Sequence, residues 1–264
     1  MQKKFQVATP KKHKTFKQWL MSLAVKRALV YIDRDPDKNV PKLLDWIVKL
    51  DKTGKYATVP ALSVKAALQD KTSNWSILTQ SLWDDMDPSI IKKVFENFVV
   101  NSVIVGQTKQ EKIRQQYQCN VPWAILLDPT TSCNLKCIGC WAAEYENNMN
   151  LSLAQMDDII CQAKKMGIYF FLFSGGEPLV RSKDIMLLCK IHSDCAFLAF
   201  TNATLIDEKF ADEMLKVKNF VPAISIEGFE EETDFRRGEG TYSSVVRAME
   251  ILKRKKLLFG ISCC

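Results

Sequence analysis

Apolar positions follow two different rhythms along the 264-residue chain. In the first part they recur at helical spacing. Phe16, Trp19, Leu20, Leu23, Val30 and Tyr31 fall near one face, while Lys17, Lys26 and Arg27 lie largely elsewhere. Pro41 and Pro60 each suit a first helical position, which predicts helices over residues 42–50 and 61–68. Asp87-Pro88 reads as a cap with a proline start, predicting a helix over about 89–105 that Gly106 stops. From residue 119 the rhythm changes. Continuous apolar runs at 123–128, 168–173, 196–201, 221–226 and from 257 alternate with helical stretches at 153–166, 183–192, 207–217 and 242–255.

Strands that are apolar throughout, interleaved with helices, are the signature of parallel strands covered on both faces. The pattern predicts an all-α region over 1–118 and an α/β domain over 119–264. A parallel strand at a chain end normally runs on into its covering helix. With five strands and four complete helices, the domain therefore reads as truncated at the C-terminus.

Composition narrows the class. With 47% apolar and 25% charged residues the chain expects a packed core. No apolar run has the roughly 18 residues of a membrane span, and the N-terminus lacks the apolar stretch of a secretory signal. Nine cysteines, an odd and unevenly spaced set, argue against a disulfide framework and for a reducing, cytoplasmic setting. Charge is uneven too. Residues 1–118 carry 21 lysines and arginines against 11 acids, and residues 119–264 carry a net −3. The basic segment reads as a solvated helical appendage, as an amphipathic helix making peripheral membrane contact, or, least favoured, as a nucleic-acid binder. Its aromatics follow one helix face, as in packing rather than base stacking.

The candidate chemistry begins with Cys133-x3-Cys137-x2-Cys140, directly after the first strand of the α/β half. Loops at strand C-termini build the ligand sites of such sheets. Three thiolates can hold three irons of a [4Fe–4S] cube and leave the fourth open. A zinc site completed by a distant residue and three unrelated core cysteines are the alternatives. Ser174-Gly175-Gly176-Glu177-Pro178 ends the second strand. Paired glycines let the backbone approach a ligand closely, and the glutamate can accept hydrogen bonds from an ammonium group. The same residues also fit an ordinary strand-to-helix turn.

Together, at one end of adjacent strands, the two segments resemble the hallmarks of the radical S-adenosylmethionine (radical SAM) enzymes, over about residues 119–264. The resemblance implies a partial parallel (β/α) barrel, usually of six strands, of which five are counted here. It implies that Cys133, Cys137 and Cys140 ligate a [4Fe–4S] cluster whose unique iron chelates S-adenosyl-L-methionine (SAM). Gly175, Gly176 and Glu177 would meet the methionyl ammonium. Thr201-Asn202 matches a position lining the SAM site, with Ala203 in place of the more usual glycine. Ser225 and Glu227 fall where ribose or methionine is contacted, and Asn202 and Ser225 read equally well as strand-end caps. Arg237, in preference to Arg236, resembles the arginine that pairs with the SAM carboxylate, a task its planar fork suits. The aromatic residue common before the third cysteine is replaced by Gly139, and Trp141 follows instead.

The implied activity is reductive cleavage of SAM to a 5′-deoxyadenosyl radical that abstracts hydrogen from a substrate, with a peptide or a lipid both in view. Electrons would come from a one-electron reductant such as ferredoxin or flavodoxin. The competing class is an iron–sulfur or zinc binding protein without turnover. Cys119, Cys161, Cys189 and Cys195 read as small buried hydrophobes. Cys263 or Cys264 reads as strand packing or as a hydrogen donor inside the barrel. His13 and His192 carry no assigned role.

Overall fold

A computed structural model describes residues 23–24, 27–28, 30–32, 34–50, 58–144 and 149–263. Most of the basic segment over 16–31, and with it the membrane reading, lies outside the described residues, as do His13 and Cys264. No helix among the described residues is long and apolar enough to cross a membrane.

The described N-terminal residues include helices α1 (Pro36–Leu50), α2 (Thr58–Gln69), α3 (Asn74–Asp84) and α4 (Pro88–Phe95). Helix α1 starts at Pro36 rather than Pro41, which lies inside it. The side chain of Asp35 accepts from Lys38 N at 3.2 Å, so Asp35-Pro36 is the same cap-plus-proline start as Asp87-Pro88. Helix α3 buries none of its residues, and its apolar Trp75, Ile77 and Leu78 are exposed.

Gly106 does not stop the fourth helix. A π-helical segment, Glu96–Gly106, continues it directly into α5 (Gln107–Tyr117). The glycine serves a close approach instead. A side chain at Gly106 would overlap the Gly167 carbonyl, and one at Gly167 would lie 2.6 Å from the Gly106 carbonyl oxygen. Amides fasten the same segment to the sheet. Asn97 Nδ2 donates to Cys195 O at 2.6 Å, Asn101 Nδ2 to Asp194 O at 2.9 Å and Gln110 Nε2 to Gly167 O at 3.0 Å. Phe98 meets Phe170 edge-on at 5.2 Å, and Trp123 stacks on Phe170 at 5.4 Å. Ile90 belongs to the same buried cluster as the sheet, with Val94 and Ile113 packed against it, so its core draws on residues before 118.

Five parallel strands in the order β1-β2-β3-β4-β5 form the sheet: Ile125–Leu127, Phe170–Phe173, Ala196–Thr201, Phe220–Ile226 and Gly260–Cys263. The α/β expectation holds, with five parallel strands and a helical N-terminal region. Helices α6 (Leu153–Met166), α7 (Ser182–Ile191), α8 (Glu208–Val217) and α10 (Thr241–Arg254) follow successive strands. Ser152 and Gln155 close a capping box at the start of α6, and Gly167 (φ 91°) ends it.

These helices cover one face, not both. Phe171, Phe173, Phe197, Ala199, Phe220 and Ile224 pack there against Met156, Ile160, Leu188, Met214 and Val245. On the opposite face Leu126 is 55% exposed and Phe200 37%. An open apolar inner face is what a partial barrel leaves. Register decides the last strand: Ser262 pairs with Ser225 and Cys263 with Ile226. Because side chains alternate, Cys263 shares the helix side with Ile224, which removes it as a donor inside the barrel.

Gly106→Ala tests the glycine contact. Overpacking against backbone should cost about 1–3 kcal/mol, read as a lower denaturation midpoint. Gly139→Ala, whose added atom meets nothing within 4 Å, should lose only the cost of its positive φ, about 1–2 kcal/mol.

Candidate active site

The residues expected from the sequence lie at, or in the segments that follow, the C-terminal ends of β1 to β4. The chain leaving β1 pairs at Thr130 with Asn150 in an antiparallel bridge, then forms the cysteine loop. Arg181 Nη1 donates to Leu151 O at 3.1 Å and Pro129 O at 3.3 Å, pinning the loop's entry and return. Cys133, Cys137 and Cys140 are free thiols, all half-buried. Cys140 N donates to Cys137 O at 3.3 Å, and Cys133 Sγ accepts from Leu135 N at 3.4 Å. Gly139 takes φ 69° between the second and third cysteines. That tight corner explains why the position is not aromatic; Trp141 opens a short 3-10 turn and is exposed.

Gly175 and Gly176 lie directly against this loop. A side chain at Gly175 would come within 2.6 Å of Thr130 O, and one at Gly176 would overlap Ser132 O. Their bareness lets backbone meet backbone: Gly176 N donates to Thr130 O and Glu177 N to Ser132 O, each at 2.9 Å. Glu177 is 1% exposed. Its Oε1 accepts from Thr201 Oγ1 at 2.6 Å and Leu179 N at 2.9 Å, and its Oε2 from Asn202 N at 2.8 Å. Burial pushes its pKa up, while these donors pull the other way. Three donors leave part of a carboxylate's accepting capacity, on the order of four lone-pair sites, unspent.

Asn202 behaves as the cap reading has it. Its Oδ1 accepts from Thr204 N at 3.0 Å and Thr204 Oγ1 at 2.7 Å. Its Nδ2 also donates to Asn134 Oδ1 at 2.9 Å, tying the end of β3 to the cysteine loop. Asn134 and Thr204 are partners the sequence does not mark. Ala203 holds φ 58° with no exposure, which is the conformation that makes glycine usual there.

Ser225 lies on the inner face, one residue before the end of β4. Beyond it, Glu227 and Arg237 pair with each other. Arg237 Nε and Nη2 reach Glu227 Oε1 at 2.9 and 2.5 Å, and Arg236 Nη1 reaches the same oxygen at 2.7 Å. The arginines end α9 (Glu230–Arg237), a helix without an apolar stripe that periodicity does not reveal. Asp234 holds α9 against α10 by accepting from Tyr242 N at 2.7 Å and Gly240 N at 2.8 Å. Arg236 then grips the loop: Ile138 N donates to Arg236 O at 2.8 Å, and Arg236 Nε donates back to Ile138 O at 3.3 Å.

Two guanidiniums on one carboxylate leave a net positive charge beside Cys137. Burial raises the pKa of Cys137, and Arg237 and Arg236 oppose it. Burial also raises that of Cys133, with the Glu177 charge adding to the effect. Metal binding needs thiolates, so loading would release protons. Three half-buried thiols in one clamped loop, with two arginines beside Cys137, fit an iron–sulfur cluster. The loop contains no fourth side-chain ligand of the same kind.

Comparison with known proteins agrees. The model of the Radical SAM superfamily matches residues 127–261. A cysteine-type anaerobic sulfatase-maturating enzyme of Clostridium perfringens is 32% identical over 54% of this chain and 44% of that protein. An Fe-coproporphyrin III synthase of Methanosarcina barkeri is 31% identical over 52% of this chain and 35% of that protein. The chain thus spans less than half the length of these relatives. Among solved structures, Streptococcus suis SuiB bound to precursor peptide SuiA shares the fold, with TM-score 0.50 and 20% identity over 61% of this chain and 37% of that one.

Glu227→Gln tests the charge account. For Glu227, burial raises the pKa, but the hydrogen bonds from Arg236 and Arg237 outweigh it, and the net pKa lies below the ordinary 4.5. A depressed carboxylate stabilises the fold above its unfolded pKa and loses that contribution as pH falls through the folded value. The variant should be less stable at neutral pH by about 1.5–3 kcal/mol. The gap should narrow below pH 4.5, measured by denaturant titration. A gap that widens in acid would contradict the pairing.

Proposed function

Because the chain belongs to the Radical SAM superfamily, we propose that it is the catalytic core of a radical SAM enzyme. The observation that carries the reading is the cysteine loop, held by backbone bonds from the Gly175-Gly176-Glu177 segment and by Arg236. Cys133, Cys137 and Cys140 would hold the [4Fe–4S] cluster, and the residues around them would line the SAM site. Cluster and SAM, when bound, supply one-electron cleavage of the sulfonium to a 5′-deoxyadenosyl radical able to take a substrate hydrogen.

The chain's own residues set the rest. Oε2 of Glu177, with one donor from Asn202, offers an acceptor for the SAM ammonium beside Cys133. Asn202 holds the end of β3 to the loop, and Ser225 faces the inner side of the sheet. Glu227 fixes Arg237 by its Nε and Nη2, so this arginine contributes through charge as much as by direct pairing with a carboxylate. The open face bearing Leu126, Leu172, Leu198 and Phe200 would seat an apolar part of the substrate and keep water from a radical. The two relatives are named for unlike molecules, one for maturing a sulfatase and one for making Fe-coproporphyrin III, so residues on this face are where specificity would lie. A one-electron donor of the ferredoxin or flavodoxin kind would serve as reductant.

Anaerobic reconstitution with iron and sulfide should yield one [4Fe–4S] cluster per chain, and 5′-deoxyadenosine should form from SAM and dithionite. Cys133→Ala, Cys137→Ala and Cys140→Ala should each abolish the product. Arg237→Ala should keep the cluster and weaken SAM binding on the order of tenfold, as losing one charge-assisted contact does. A cluster that never cleaves SAM would leave a binding protein instead.

A further inference from the structure

A second group of ligating side chains lies on the helix-covered side of the sheet. Asp157 and Cys161 are one turn apart on α6 and share a face. His192, which ends α7, comes up against them. One ligating atom from each of the three lies within 4.8 Å of the others. His192 Nε2 is 2.8 Å from Asp157 Oδ1. The ring is fully buried, yet its Nδ1 has no partner, an unusual state for a buried polar group. Burial holds its pKa below the usual imidazole value, against the pull of Asp157. The nearby Lys164 ammonium is paired with Asp194 at 2.7 Å, which offsets its charge.

We propose that Asp157, Cys161 and His192 form a zinc site, separate from the cysteine loop, that clips α6 to the end of α7. Carboxylate, thiolate and imidazole are the three donor types zinc accepts, and three protein ligands leave a fourth tetrahedral position for water. The donors balance the ion, since one carboxylate and one thiolate neutralise a divalent charge in a half-buried setting. Binding releases the Cys161 thiol proton to solvent and moves the imidazole proton from Nε2, which then ligates the ion, to the unpartnered Nδ1. The 2.8 Å contact between Asp157 and His192 opens slightly to admit the ion. The side chains of Asp157 and Cys161 are partly exposed, which gives it a way in.

The test uses the full chain with its cluster assembled, so that the loop thiols are occupied. Zinc sulfate is added, excess is removed by gel filtration, and bound zinc is counted and examined at the zinc X-ray absorption edge. One zinc per chain is expected, with one sulfur and two or three nitrogen or oxygen neighbours. Cys161→Ser and Asp157→Asn should each weaken retention by at least the roughly 10–100-fold typical of a lost outer-sphere partner. Zinc should raise the melting temperature of the parent and not of the variants. Buried His192 is left intact to keep the fold. No retained zinc, retention in both variants equal to the parent's, or a three-sulfur shell would overturn the proposal. None of these results bears on SAM cleavage, which is read separately.

Discussion

The structure depends on a place where two backbones touch. At Gly175 and Gly176 the chain leaving β2 carries no side chain, and the cysteine loop leaving β1 lies directly on it. Parallel pairing therefore continues past the strands themselves, through Gly176 N to Thr130 O and Glu177 N to Ser132 O. Any larger residue would push the loop outward and carry the cysteines with it. The bare backbone expected to admit a ligand is first of all what admits the loop.

Two further ties act on the same loop. Glu177 joins the end of β2 to the end of β3 through Thr201 and Asn202, and Asn202 passes the link to Asn134. Arg236 fastens α9 to Ile138, while Arg236 and Arg237 share Glu227. Position and charge are thereby set together. The arrangement that holds Cys137 also opposes the rise of its pKa by burial. A loop fixed before its metal arrives needs less ordering on binding, which is how supporting contacts tune such sites.

Much of this was legible in the residues, for identifiable reasons. The strands are apolar throughout, and α6 carries both its signals, the Ser152–Gln155 box and Gly167, so its bounds are read directly. The cysteine and glycine segments announce themselves by spacing. What stayed hidden lacks a periodic or chemical mark. Helices α3 and α9 bury almost nothing, although the acids opening α9 and the arginines closing it are a signal of charge. Gly106 looked like a stop because sequence does not show that Gly167 stands opposite it. The pairing of Glu227 with both arginines is tertiary, and so is the meeting of His192 with Asp157 and Cys161. Coverage of both sheet faces was expected from apolar strands, but a curved sheet hides one apolar face inside its own curvature.

The central claim is that the clamped loop supplies three ligands and leaves one iron for SAM. Electron–nuclear double resonance on the reduced, reconstituted protein tests it most directly, using SAM labelled with 15N in its amino group and 17O in its carboxylate. Hyperfine coupling of both labels to the cluster is expected, as for a chelate at a single iron. A well-formed [4Fe–4S] signal with neither coupling, at saturating SAM, would contradict it.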